Sequence, residues 1–274
     1  MTTRPTTLTA YHWELRKLVS QKRTYIGIGA ATLLPIVFVV VMALQTGGPY
    51  GAPLGHNLRH TGVTLALVVL FFASRFGAQL VTALVAGDIV ASEDAGTTLK
   101  MILTRSVTRS QILAGKTLAT FTYVIALLLA LLAGGLISGL IAWGYNPVTN
   151  LSNATLSASH ALALSFAAAG LFAFPLIAVA AFAIFLSVAT RNSAAAIVGS
   201  LVYALTQEAI GGLVHASWAK HYLLSDQFDG WHGLFQSPTY WTPVIRAIWV
   251  STIFVAVPLA AAFIIFLRRD VAGE

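Results

Sequence analysis

Apolar residues along this chain fall into long unbroken blocks, with the polar residues gathered between them. Six such blocks recur, at about 25–45, 63–87, 112–143, 160–189, 194–214 and 244–267. Each reaches the roughly 20 residues that a helix needs to cross about 30 Å of hydrocarbon. Strands of a membrane barrel alternate polar and apolar over about 10 residues, so blocks of this kind exclude one. The pattern predicts an all-α polytopic membrane protein with six transmembrane helices in a single domain over residues 1–274. The third and fourth blocks exceed the bilayer thickness, so their helices tilt or project beyond it. Pro35, Pro175 and Pro258 lie inside spans one, four and six, where proline kinks a helix. Gly134, Gly135, Ser138 and Gly139 make a small-residue face on span three suited to close helix packing, within the chain or between subunits.

The segments between the blocks carry their own patterns. Over residues 8–23, Leu8, Tyr11, Leu15, Leu18 and Val19 share one helical face, while Glu14, Arg16, Lys17, Ser20 and Arg23 share the other. This predicts an interfacial helix whose basic side, with Arg16 and Lys17, meets anionic lipid or a partner. Trp13 on the polar side adds weight to a partner. The bland alternative is a basic tail of no further consequence. Residues 215–243 are rich in aromatics, among them Trp218, Phe228, Trp231, Phe235 and Trp241. A loop so apolar predicts short helices or a partly re-entrant segment at the outer interface before span six.

Charge orients the spans. Only 9% of residues are charged, against roughly 25% in soluble domains, and mean hydropathy is +0.81. Twelve of the sixteen Lys and Arg fall in the N-terminal tail, the 88–116 segment, the turn at Arg191 and the C-terminus. The loops of the other side hold only Arg59 and Lys220. The positive-inside rule therefore predicts both termini in the cytoplasm, with the chain multi-pass in a cell membrane. The net charge of +7 belongs to these cytoplasmic edges and does not indicate nucleic-acid binding, which needs a basic patch with exposed aromatics. Six of the seven histidines fall on the outer side. Solvated loop histidines are the plainer reading there, a metal or pH-sensing site the sharper one. The absence of cysteine removes disulfides and thiolate metal sites.

The 88–116 segment carries the chemistry of most interest. Gly115-Lys116-Thr117 resembles the tail of a phosphate-binding loop. That loop needs G-x-x-x-x-G-K between a strand and a helix, and here Ser110 stands at the first glycine position with no strand before it. Nucleotide binding by this chain is thus not expected. Thr108-x-x-Gln111 is instead a capping box, flanked by Val107 and Ile112 as a hydrophobic staple, so span three begins at about Arg109. Upstream, Leu99, Ile102, Leu103 and Val107 share an apolar face, with Lys100 and Arg105 on the polar side. A short amphipathic helix over about 97–107 either docks into a groove on another protein or lies flat on lipid.

Glu93-Asp94-Ala95-Gly96-Thr97-Thr98-Leu99, followed by Leu103-Thr104-Arg105-Ser106-Val107-Thr108-Arg109 and Ile112-Leu113-x-Gly115-Lys116, resembles the cytoplasmic loop of ABC-2 type ABC-transporter permeases. The six-span layout and Trp13-Glu14-Leu15-Arg16-Lys17-Leu18 are similar too. Ser106 departs from the family, which often has proline there. The resemblance implies a transmembrane exporter subunit in a bacterial membrane, with Glu93, Gly96, Thr97, Leu99, Lys100, Ile102, Leu103, Arg105, Val107 and Arg109 forming a coupling helix for ATPase docking. It also implies two separate ATPase subunits, which carry the ATP and Mg, and a second permease chain. No catalytic residue, cofactor or metal is expected in this chain. The expected cargo is an amphiphilic drug, antibiotic or peptide; a lipid-linked or polysaccharide substrate is the alternative. An ion-coupled secondary transporter is the rival from another class, and it would use Arg75 and Glu208, the ionisable residues inside spans. By depth these two are expected to interact, either as a static ion pair fixing spans two and five or in a polar cavity on the translocation path; the remaining alternative is that each snorkels to the outer surface. A membrane-embedded enzyme would need more converging polar residues than the spans contain.

Overall fold

The computed structural model describes residues 6–44, 54, 58–95, 108–214 and 217–268. Helix α1 (Thr7–Ser20) turns at Gln21 into α2 (Lys22–Leu44). Helices α3 (Gly62–Arg75), α4 (Gly77–Asp88) and α5 (Ala91–Ala95) follow. Then come α6 (Arg109–Trp143) and a small hairpin of β1 (Val148–Thr149) with β2 (Thr155–Leu156). The chain continues through α7 (Ala158–Thr190), α8 (Ser193–Leu213), α9 (Ser217–Lys220), a 3-10 helix (Ser225–Gly233) and α10 (Trp241–Arg268). The described chain is nearly all α-helical. Helices α2, α6, α7, α8 and α10 are each long and apolar enough to cross a membrane, which marks this as a membrane protein.

The second apolar block behaves differently from the single straight helix expected over 63–87. It breaks after Arg75, and Gly62–Arg75 and Gly77–Glu93, bent by 47° to each other, are long and apolar enough to cross a membrane only together. Phe76 lies between them at φ −125°, ψ −66°, off the helical values. Beside it, Gly77 has open space where a side chain would stand. A sharp bend needs such a local cause, and a non-helical residue followed by glycine supplies one. The backbone still passes hydrogen bonds across the break, Phe76 donating to Phe72 at 3.3 Å and Leu80 to Phe76 at 3.4 Å.

The start of α6 follows from its sequence. Thr108 caps it, accepting from the Gln111 amide, while the Gln111 side chain accepts from the Thr108 amide at 3.0 Å. This ties down two of the orphan amides of the first turn. The residues expected to form the coupling helix, from Gly96 through Val107, lie outside the described residues.

Packing divides by helix. In the most apolar window of α7, 67% of residues are buried, against about a fifth in α2, α8 and α10. So α7 is the central post and the other three offer faces to lipid. Helix α6 packs on α1, α2 and α3, while α10 packs on α7 and the 3-10 helix. The two halves of the bent segment keep different company: α3 lies against α6, α4 against α7 and α8. The small-residue face of α6 is used inside the chain. Gly139 meets Gly62 backbone to backbone, Gly135 meets Ala66, and Gly134 meets Thr32. Without side chains at these points the helices approach closely and gain dispersion contacts, the main association force in lipid.

Gly139→Ala places a methyl group into the Gly62 backbone, and overpacking of this kind costs about 1–3 kcal/mol. Gly170 on α7 has nothing within 4 Å of its Cβ position, and Gly170→Ala stabilises by about 0.5–1 kcal/mol through helix propensity. Thermal unfolding in detergent should show a lowered midpoint for the first variant and an unchanged or raised one for the second.

Candidate functional site: two charge clusters

The first cluster gathers where α1 meets α6. Gly115 lets α1 settle onto α6: a Cβ there would stand 2.9 Å from the Ala10 carbonyl carbon and the Tyr11 nitrogen. One residue on, Lys116 is fully buried, its Nζ 2.9 Å from Glu14 Oε1 and 2.6 Å from Glu93 Oε2. Lys17 pairs with the other oxygen of Glu93, and Arg23 at the start of α2 pairs with Asp88 at the end of α4. Tyr11 and Thr122 hydroxyls meet at 2.9 Å. A lone ammonium in this surrounding would be prohibitively costly, so the two carboxylates are what permit Lys116 to be there. The other end of the linkage is also fastened, since the Ser187 hydroxyl on α7 accepts from the Val90 and Ala91 amides at 3.3 and 3.0 Å. Glu93 and Lys116 thus pin the chain on both sides of residues 96–107.

This geometry changes several expectations. Glu93, expected on a docking surface, is 4% exposed and turned inward to Lys17 and Lys116. Lys17 and Glu14, expected on the solvent or lipid face of α1, face the protein, whereas Leu8 and Val19 of the expected apolar face are exposed. The reason is electrostatic: two of the three charged residues of α1 meet charges of α5 and α6, while Tyr11, Leu15 and Leu18 of the apolar face still pack inward. Trp13 and Arg16 remain on the outward face. Arg109 is the first residue of α6. Gly96, Thr97, Leu99, Lys100, Ile102, Leu103, Arg105 and Val107 lie outside the described residues.

The second cluster forms at the break in the bent segment. Arg75 Nε lies 2.9 Å from Glu208 Oε2 on α8, and Arg75 Nη1 lies 3.1 Å from both oxygens of Asp229 on the 3-10 helix. The guanidinium also stands over the Phe71 ring at 5.8 Å. Nearby, Asp226 holds His221 at 3.2 Å and Arg246 of α10 at 3.6 Å. His232 packs on Trp231 with ring centroids 4.4 Å apart. Burial pushes its imidazole below the ordinary histidine range, while Asp229 and Asp226 pull the other way.

The structure therefore brings Arg75 and Glu208 together and adds Asp229, which sequence reasoning did not pair with them. A signal was present. A 3-10 helix repeats every three residues, so Asp226, Asp229 and His232 fall on one face. Ser225, Phe228 and Trp231 fall on a second face, and these three are buried.

Two outcomes test the clusters. Lys116→Met leaves Glu14 without its cation, and breaking a buried pair costs about 3–5 kcal/mol. Limited proteolysis should then cut near Gln21 faster than in the parent protein. In the second cluster, Arg75→Gln strands two carboxylates, whereas Glu208→Gln leaves Arg75 bound to Asp229. The arginine variant should lower the unfolding midpoint more than the glutamate variant; the reverse order would show that Asp229 contributes nothing.

Among the described residues, no three of His, Cys, Asp and Glu are grouped so as to hold a metal ion. No curated protein matches the chain. A family model described as "Protein of unknown function (DUF2705)" matches residues 32–272, from within the first long helix to just past the last. The match spans most of the sequence, and the chain belongs to the DUF2705 family.

Proposed function

We propose that the chain is the membrane-spanning subunit of an ATP-driven exporter of the ABC-2 type, with the bent segment counting as one of six spans and both termini cytoplasmic. The observation that carries this reading is the Lys116 linkage. It joins α1, the exit from the bent segment and the base of α6 around residues 96–107. A segment fastened this way on both sides suits transmission of force from a partner: a push on it reaches three helices at once. Leu99, Ile102 and Leu103 form the face that docks into an ATPase groove, the ATPase supplying nucleotide and Mg. A second permease chain completes the path, and the 3-10 segment acts as the re-entrant outer element. An apolar groove of about 410 Å³ between α6 and α7, walled by Leu129, Phe166 and Phe174 among others, favours an amphiphilic cargo over a polysaccharide.

The Arg75, Glu208 and Asp229 cluster favours a second reading, an ion-coupled transporter, since ionisable residues inside spans mark ion or proton routes. Co-purification separates the two. The tagged chain should carry an ATPase out of its native membrane and stimulate ATP hydrolysis. Leu103→Arg should lower that association about tenfold or more, from the loss of one buried apolar contact. Full association with normal stimulation would remove the docking role. Transport driven by an ion gradient with no ATPase bound would instead establish the second reading.

A further inference from the structure

The corner formed by α1, α2 and α6 encloses an apolar groove of about 370 Å³. Its wall includes Leu15, Val19, Tyr25, Ile28 and Ala126, together with Thr24 and Tyr123. The last two are more than nine-tenths buried, and neither hydroxyl has a hydrogen-bond partner. Neither hydroxyl opens onto the groove, and that of Tyr123 lies against Gly27 of α2, so the groove offers a ligand an apolar wall.

Charge at the same corner is uneven. Lys17, Arg23 and Lys116 are matched by Glu93, Asp88 and Glu14. Arg16 and Lys22 are exposed and have no carboxylate partner among the described residues. Arg16 lies one turn before Val19, and Lys22 one turn before Tyr25, so each cation shares a helix face with an exposed residue of the groove wall. The first turn of α2 contains no acidic residue, so the positive end of its dipole is left uncompensated there. A ligand fitting all of this has an apolar tail and a negative head.

We infer that the groove is a binding site for an anionic phospholipid of the leaflet in which α1 lies. One acyl chain fills the space between Leu15, Ile28 and Ala126, and the phosphate sits between Arg16 and Lys22. The bound lipid wedges α1 against α2 and α6, alongside the Lys116 linkage. The site depends on the protein lying in a membrane and not on what it transports.

Native mass spectrometry tests this on the full chain taken from vesicles of phosphatidylcholine with phosphatidylglycerol. The parent protein should retain phosphatidylglycerol in preference to phosphatidylcholine. Lys22→Gln and Arg16→Gln should each lower that preference about fivefold, the worth of one basic residue near an anionic membrane surface. Ala126→Phe, which fills the groove without touching a charge, should remove retained lipid of both kinds. The two glutamine substitutions are at exposed positions and leave the fold intact, so the test stands even if Ala126→Phe misfolds. Equal retention of the two lipids by the parent, or unchanged phosphatidylglycerol retention in the charge variants, would overturn the site.

Discussion

One buried ammonium organises the end of the molecule that carries α1. Lys116 has no access to water and is tolerable only because Glu14 and Glu93 meet it. Those partners come from parts of the chain far apart in sequence, so the ion set is satisfied only when α1, α5 and α6 are all in place. Gly115 is the steric half of the same arrangement, since a side chain there would lift α1 away and take Glu14 from Lys116. The Gly-Lys pair that imitates a nucleotide-binding loop is thus explained by packing and charge.

The second charge set obeys the same rule at a different depth. Arg75 ends α3 just before the break, 13 residues before Asp88 at the end of α4. Its guanidinium collects one carboxylate from α8 and one from the 3-10 helix. Buried charge in each place is answered by charge from a different element. Each cluster therefore specifies which elements come together, a use of buried polar groups that apolar packing alone serves less well.

Much of the architecture was legible because hydrophobic length is a strong signal in lipid and caps are local. The long helices and the Thr108–Gln111 box are set by residues close in sequence, so the pattern alone locates them. The contacts of α1 were not legible. Amphipathic periodicity turned Glu14 and Lys17 towards anionic lipid or a partner, but they meet charges of this chain more than 70 residues away. The break at Phe76 was hidden for a related reason. Nothing but Gly77 marks it locally, and the partners that hold Arg75 there come from α8 and from the 3-10 helix. Asp229 was overlooked because the aromatics of its segment suggested a surface belt, whereas Phe228 and Trp231 are buried among α7, α10 and the α3 aromatics.

The exchange of neighbours along the bent segment has a mechanical meaning. Its first half packs mainly on α6, through glycine contacts that bring the backbones together, and also touches α7. Its second half lies against α7 and α8. A change of angle at Phe76 would therefore shift α6 relative to α8, and the Arg75 ion pairs to α8 and the 3-10 helix act as a clasp on that angle.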